Sequence, residues 1–72
     1  SSNSLEKIAK FLFDNESILI NLKQVKIAQI LNITPETFSR KLAKLKKEKI
    51  IQNEKGYIKI LDHLKLEAYI NN

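Results

Sequence analysis

Cysteine is absent from this sequence, and glycine and proline occur once each. Without cysteine, neither a disulfide nor a thiolate metal site can hold the fold together, so its stability must come from packing and helix caps. No apolar run approaches the roughly 20 residues that a membrane-spanning helix needs, and no segment has the form of a secretory signal. These absences predict a chain that has no membrane partner and lies in the cytoplasm.

Catalytic groups are equally scarce. The chain has one histidine, His63, and it has neither a glycine-rich phosphate loop nor a cluster of metal-binding residues. His63 is expected on the surface, in the first turn of a helix. The carboxylates of Asp14 and Glu16 lie close in sequence, but a helix end and a loop leave them solvated. We therefore expect no enzymatic activity and no cofactor in this domain.

What the chain does contain is apolar residues and basic charge. Seventy-two residues, 43% hydrophobic and 29% charged, indicate one small globular domain. Thirteen Lys and Arg stand against eight Asp and Glu, and six of the basic residues lie between Arg40 and Lys49 with one acid, Glu48. Such a local excess is typical of a nucleic-acid-binding surface and also of a solvated helix face. The position of these residues in the fold is needed to distinguish the two interpretations.

The spacing of apolar residues predicts the secondary structure. Helical periodicity predicts four helices, at about 4–14, 24–31, 35–48 and after 62. Short β-branched runs predict three strands, at 18–22, 50–52 and 57–60. A type I turn over 53–56 would close the last two strands on Gly56, and 18–22 would complete a three-stranded sheet. Asp62 is expected to cap the last helix, with Leu61, Leu64 and Ala68 turned inward.

The second and third helices are joined by only three residues, 32–34. Thr34 can cap the third helix with its hydroxyl, and Pro35 suits the first helical position because its missing N–H would have no partner there. Helices linked so tightly cross at a steep angle, which is helix-turn-helix geometry. The fold class is therefore mainly α with a small antiparallel sheet: a winged helix-turn-helix with a three-helix core, a β-hairpin wing at 50–60 and a short C-terminal helix.

The third helix, 35–48, is the predicted recognition helix for the major groove of double-stranded DNA. Phe38, Leu42 and Leu45 form its inner stripe, and Glu36, Ser39 and Arg40 lie on the outer side. Arg40 can donate twice to guanine, Glu36 can accept from cytosine, and Ser39 is short enough to allow close approach. Glu36 and Arg40 are four residues apart, so we also expect them to pair with each other.

Contacts to the DNA backbone are expected around this helix. Basic side chains, polar residues near helix starts and the wing tip are the groups that contact phosphates. The predicted backbone contacts are Lys23, Gln24, Lys26, Thr34, Lys44, Lys47 and Lys55.

The stretch VKIAQILNITPETFSRKLAKL, residues 25–45, resembles the helix-turn-helix of the Crp/Fnr transcription regulators, and the resemblance continues through the wing, IIQNEKGYIKI. It implies that Glu36 and Arg40 carry the main base contacts and that Ser39 varies between subfamilies. Pro35 stands where some members have an arginine that reads a base, so that contact is lost. Asn32 replaces a glycine of the turn, and asparagine tolerates the left-handed conformation needed there.

The same resemblance implies a larger parent protein. Members carry an N-terminal effector domain and a long dimerisation helix, and neither fits into 72 residues. The chain would then be the isolated DNA-binding domain of a regulator that binds a pseudo-palindromic site as a homodimer. We expect this fragment to be a monomer, and RNA polymerase is a further candidate partner of the parent.

Two other interpretations stay open at this point. Some winged helices serve protein–protein assembly, but they usually replace the basic recognition helix with apolar or acidic residues, whereas this helix is basic and hydrophilic outside. The chain could also be the DNA-binding domain of another winged-helix family that dimerises through this domain. Salt-dependent binding to random duplex DNA would separate the first interpretation from DNA binding.

Overall fold

The computed structural model describes residues 3–70. Its elements follow in the order α1 (Ser4–Asp14), a 3-10 helix (Glu16–Asn21), α2 (Gln24–Ile30), α3 (Pro35–Lys47), β1 (Ile51–Glu54), β2 (Tyr57–Ile60) and α4 (His63–Ile70). Within these residues, no helix is long and apolar enough to cross a membrane. The mostly helical architecture with one small antiparallel sheet confirms the predicted fold class.

The predicted strand at 18–22 is wrong, because residues 18–21 lie in the 3-10 helix and Leu22 caps it. Its backbone bonds locally: the Ile18 N–H donates to the Asn15 carbonyl at 3.0 Å, and the Leu22 N–H donates to the Leu19 carbonyl at 3.3 Å. Only Leu19 is buried in the core, while Ile20 is 76% exposed. A single inward anchor does not require an extended backbone. The sheet therefore has two strands within residues 3–70, and one isolated bridge joins Lys23 to Tyr57.

The turn between α2 and α3 has the predicted form. Asn32 adopts a φ of 55°, so the left-handed bend does form on asparagine. The Asn32 N–H donates to Gln29 and the Ile33 N–H to Ala28, which is the Schellman pattern that satisfies carbonyls at a helix end. Thr34 then caps α3, since its Oγ1 accepts from the Thr37 N–H at 3.3 Å.

Helix α3 is held against the core by its inner stripe. Phe38 is 2% exposed, and Leu42 and Leu45 are fully buried, as predicted. The helix ends in a second Schellman pattern, with the Ile50 N–H donating to the Leu45 carbonyl at 2.9 Å. Here the left-handed position is occupied by Lys49, with a φ of 62°, rather than by glycine.

The wing is a tighter hairpin than the sequence predicted. Glu54 pairs with Tyr57, which leaves Lys55 and Gly56 as a two-residue loop. Their φ values are 55° and 89°, so the turn is of type I′ and the predicted type I turn is wrong. Type I′ follows the right-handed twist of the two strands, whereas type I would splay them. The Asn53 side chain supports the loop by accepting from the Gly56 N–H at 3.1 Å.

Helix α4 is capped as predicted but presents a different face to the core. The Lys65 N–H donates to Asp62 Oδ1 at 3.0 Å. Leu66 is fully buried, whereas Leu64 is 80% exposed and Ala68 is also on the surface. Leu61, which precedes the helix, is also exposed. The predicted inward residues are therefore wrong, because α4 packs with Leu66, Tyr69 and Ile70 toward the core.

Candidate nucleic-acid interface

The outer side of α3 carries three exposed polar side chains, Glu36, Ser39 and Arg40. All three lie within the first half of the helix, on the side away from its three buried apolar residues. Ala43 follows in the next turn and is exposed as well. The surface therefore presents an acceptor, a small hydroxyl and a guanidinium with little bulk around them. These are groups that can enter a major groove and meet base edges.

The expected pairing of Glu36 with Arg40 is absent from the ion pairs of residues 3–70. Instead, Arg40 Nη2 donates to Thr37 Oγ1 at 3.4 Å. Glu36 lies in the first turn of α3, where the helix dipole favours a carboxylate without a basic partner. Thr37 is a residue that sequence reasoning missed, although its spacing of three residues from Arg40 places both on one face.

The C-terminal half of α3 carries the lysines. Lys47 is exposed, whereas Lys44 forms an ion pair with Glu48, with 3.0 Å between Nζ and Oε2. Glu48 Oε1 also accepts from the Tyr69 hydroxyl at 2.5 Å. The hydrogen bond from Tyr69 and then the contact with Lys44 hold the pKa of the Glu48 carboxyl below its ordinary value. Lys44 and Lys47 are the two lysines of α3 predicted to contact phosphates, and of these Lys44 is already paired with Glu48.

The start of α2 and the wing form one hydrogen-bonded unit. The Gln24 N–H donates to the Gly56 carbonyl at 2.8 Å, and the Asn53 side-chain amide donates to Gln24 Oε1. The Lys23 ammonium lies 6.0 Å from the centre of the Tyr57 ring, at the outer limit of a cation–π contact. This unit brings the predicted contacts Lys23, Gln24 and Lys55 together. The side chain of Gln24 is partly buried in it, while both lysines are exposed.

Two further predicted backbone contacts also lie on the surface. Lys26 in the first turn of α2 is exposed, and so is Thr34. The Thr34 hydroxyl oxygen already accepts the capping bond from Thr37. A hydroxyl can still donate its own proton while it accepts, so the cap leaves Thr34 able to contact a phosphate oxygen.

Two further pairs of titratable side chains lie on the surface. His63 is exposed as predicted and contacts the Glu16 carboxylate at 2.8 Å, which links the start of α4 to the 3-10 helix. Asp14 pairs with Lys10 at 2.9 Å. Across residues 3–70 there is no group of three or more acidic, histidine or cysteine side chains placed to hold a metal ion.

Three helices with a tight turn before α3 and a β-hairpin after it define a winged helix-turn-helix domain. A sequence model described as the Crp-like helix-turn-helix domain matches residues 6–69. The chain therefore belongs to this family. The family is a regulatory, non-enzymatic type of domain that binds DNA in transcription regulators. Searches of curated proteins and of solved structures return no match.

Proposed function

We propose that this domain binds double-stranded DNA in a sequence-specific manner, with α3 in the major groove. The observation that carries the proposal is the division of α3 into a buried apolar side and an exposed polar side. Glu36, Ser39 and Arg40 are the proposed base-reading residues. Arg40 supplies two parallel donors for the O6 and N7 atoms of guanine, and Glu36 accepts from the cytosine amine. The hydrogen bond from Arg40 to Thr37 is long, at 3.4 Å, and exposed, so Arg40 can exchange it for a contact with a base.

The proposed contacts to the DNA backbone surround this helix. They combine the unit formed by the wing and the start of α2 with the lysines of α3. Their net charge is positive, which suits sequence-independent attraction to phosphates. The residues are Lys23, Gln24, Lys26, Thr34, Lys44, Lys47 and Lys55.

We further propose that the chain is the single DNA-binding domain of a larger dimeric regulator. Membership in the Crp-like family supports this arrangement. Two copies of α3 would enter major grooves about one helical turn apart on a pseudo-palindromic site. The domain alone would be a monomer without a cofactor and would bind a half-site weakly, because it lacks the contribution of the second copy. RNA polymerase is a proposed partner of the parent regulator.

The test begins with selection of bound sites from a random pool of duplex DNA, followed by affinity measurements on the selected site. We expect Arg40→Ala to weaken binding to that site by about 1–3 kcal/mol and to relax discrimination at one base pair. Lys47→Ala should weaken binding to all sequences by a similar factor. Lys10→Ala removes the same charge from α1, outside the proposed interface, and is the matched control.

Identical behaviour of the Arg40 and Lys47 variants would contradict the division into base-reading and backbone-contacting residues. The salt dependence tests the function itself. A DNA-binding domain loses affinity steeply with salt, with a log–log slope of about −0.9 per phosphate neutralised. A flat response would favour a protein–protein assembly module. The hydrophilic outer face of α3 argues against that alternative, and the family match argues against the alternative of another winged-helix family.

A further inference from the structure

A cluster of three side chains joins the end of the recognition helix to α4. Glu48 lies at its centre and uses both carboxylate oxygens, one for Lys44 at 3.0 Å and one for the Tyr69 hydroxyl at 2.5 Å. The Lys44 and Glu48 side chains are 52% and 36% exposed, so the cluster is accessible from solvent. Tyr69 is partly buried and packs against the core. The carboxylate is therefore anchored from the protein side, and the lysine faces outward.

Lys44 lies one helical turn beyond Arg40, on the same side of α3. It is the next cation along the face proposed to contact DNA, so a phosphate beside Arg40 would be within the reach of a flexible lysine. The structure instead directs its ammonium to Glu48. A phosphate approaching Lys44 must displace this carboxylate or share the lysine with it. The carboxylate also repels the phosphate directly, because both are negative.

Tyr69 makes Glu48 a stronger competitor than an ordinary surface acid. An unanchored partner four residues along a helix contributes little, because its side chain loses entropy on pairing. Here the hydroxyl of Tyr69, held by the packing of α4, fixes the carboxylate in place. The same bond raises the pKa of Tyr69 and lowers that of Glu48, because the hydroxyl donates to the ionised carboxylate.

We propose that Glu48, anchored by Tyr69, is a positioning residue that competes with DNA phosphate for Lys44 and so limits the sequence-independent affinity of the domain. The inference rests on the proposed DNA-binding function. Lys44 is proposed to contact phosphate rather than bases. Its release from Glu48 would therefore strengthen binding to every DNA sequence by a similar factor. Glu48 thereby lowers the affinity of the domain for random DNA, while base reading by Arg40 is untouched.

The test is a double-mutant cycle on random duplex DNA with the variants Glu48→Gln, Lys44→Gln and the pair. Affinity is measured between 50 and 200 mM salt. We expect Glu48→Gln to bind more tightly at low salt, and its log–log slope to steepen by up to about 0.9, the value reached if Lys44 of the unaltered chain stays paired with Glu48 on random DNA. Over this fourfold salt range, that slope is an additional loss of roughly 3.5-fold in affinity. In the Lys44→Gln background, the same change should leave the slope unaltered.

Two variants control for charge and for the anchor. Glu67→Gln makes the same charge change on α4 and should leave the slope unchanged. Tyr69→Phe removes only the anchoring hydroxyl and should steepen the slope in the same direction as Glu48→Gln, by a smaller amount. Circular dichroism of each variant verifies that the fold is retained.

The outcomes separate this inference from the function on which it rests. Salt-independent or absent binding by the unaltered chain would overturn the proposed function and this inference with it. Salt-dependent binding by the unaltered chain, with no effect of Glu48→Gln, would overturn only the inference. A steepening that persists without Lys44 would also overturn it, because Glu48 would then act through general charge.

Discussion

Replacement of Lys49 by glycine should stabilise the domain, although it removes a side chain from the end of the recognition helix. Lys49 has a φ of 62°, in the left-handed region, and the Schellman bonds at the end of α3 depend on this conformation. A residue with a Cβ destabilises the folded state by roughly 1–2 kcal/mol when its backbone adopts this conformation. Glycine avoids that cost but loses roughly 0.5–1 kcal/mol more backbone entropy on folding. The expected net gain is about 0.5–1 kcal/mol.

Thermal unfolding followed by circular dichroism measures this gain. For a domain of this size, 1 kcal/mol shifts the Tm by about 4–8 °C, so the expected increase is about 2–8 °C. The control is Lys49→Ala. Both variants remove one positive charge from a basic helix end, but only the glycine variant removes the Cβ from the left-handed position. The difference between them therefore reports the backbone contribution alone, and glycine should be the more stable by about 0.5–1 kcal/mol.

Equal Tm values for the alanine and glycine variants would refute this reasoning. They would mean that any gain comes from relief of charge repulsion near the neighbouring lysines. A Tm lower for the glycine variant than for the alanine variant would show that residue 49 does not keep the left-handed conformation in solution.

Three other predictions concern the core, the cap and the anchored acid. Leu42→Ala should lower the free energy of unfolding by about 2–5 kcal/mol in urea titrations, whereas exposed Leu64→Ala should change it by less than about 0.5 kcal/mol. Thr34→Ala should lower it by about 1 kcal/mol, and Thr34→Ser should restore most of the loss. The Glu48 pKa, measured by NMR titration, should be depressed and should rise in Tyr69→Phe. The ionised Glu48 carboxylate therefore stabilises the folded state fully above the unfolded pKa of about 4.3, and this stabilisation is lost as the pH falls through the pKa of Glu48 in the folded state.

The elements that the sequence predicted well are those with both a periodic stripe and a local start signal. Helix α3 has the Thr34 cap, Pro35 at its first position and three inner apolar residues, and all of these act as predicted. The segment 18–22 has only a short apolar run, which periodicity cannot assign to a strand or to a helix. Its packing rests on the burial of Leu19 and the partial burial of Leu22, and these tertiary contacts are not visible in the sequence.

The sequence also predicted one part of the candidate site, namely which of its side chains are exposed. The helical period alone assigned Glu36, Ser39 and Arg40 to the exposed side, because exposure on an amphipathic helix follows from residue spacing. The partners of these side chains were less predictable. Arg40 could have paired with Glu36 or with Thr37 at almost equal distance along the helix, and the structure has Thr37. The bond from Tyr69 spans 21 residues, so only the packing of α4 reveals it.

The proposed contacts to DNA all lie on elements that are fixed to one core or to each other. Hydrogen bonds from Gln24 and Asn53 tie the wing to the start of α2, so the backbone positions of Lys23 and Lys55 are linked. Helix α3 is fixed by its caps and its buried stripe. We therefore expect the adaptation to DNA to take place mainly in the side chains. Lys44 is the proposed contact that begins in an ion pair with an anchored acid, so we expect its rearrangement to carry an added electrostatic cost.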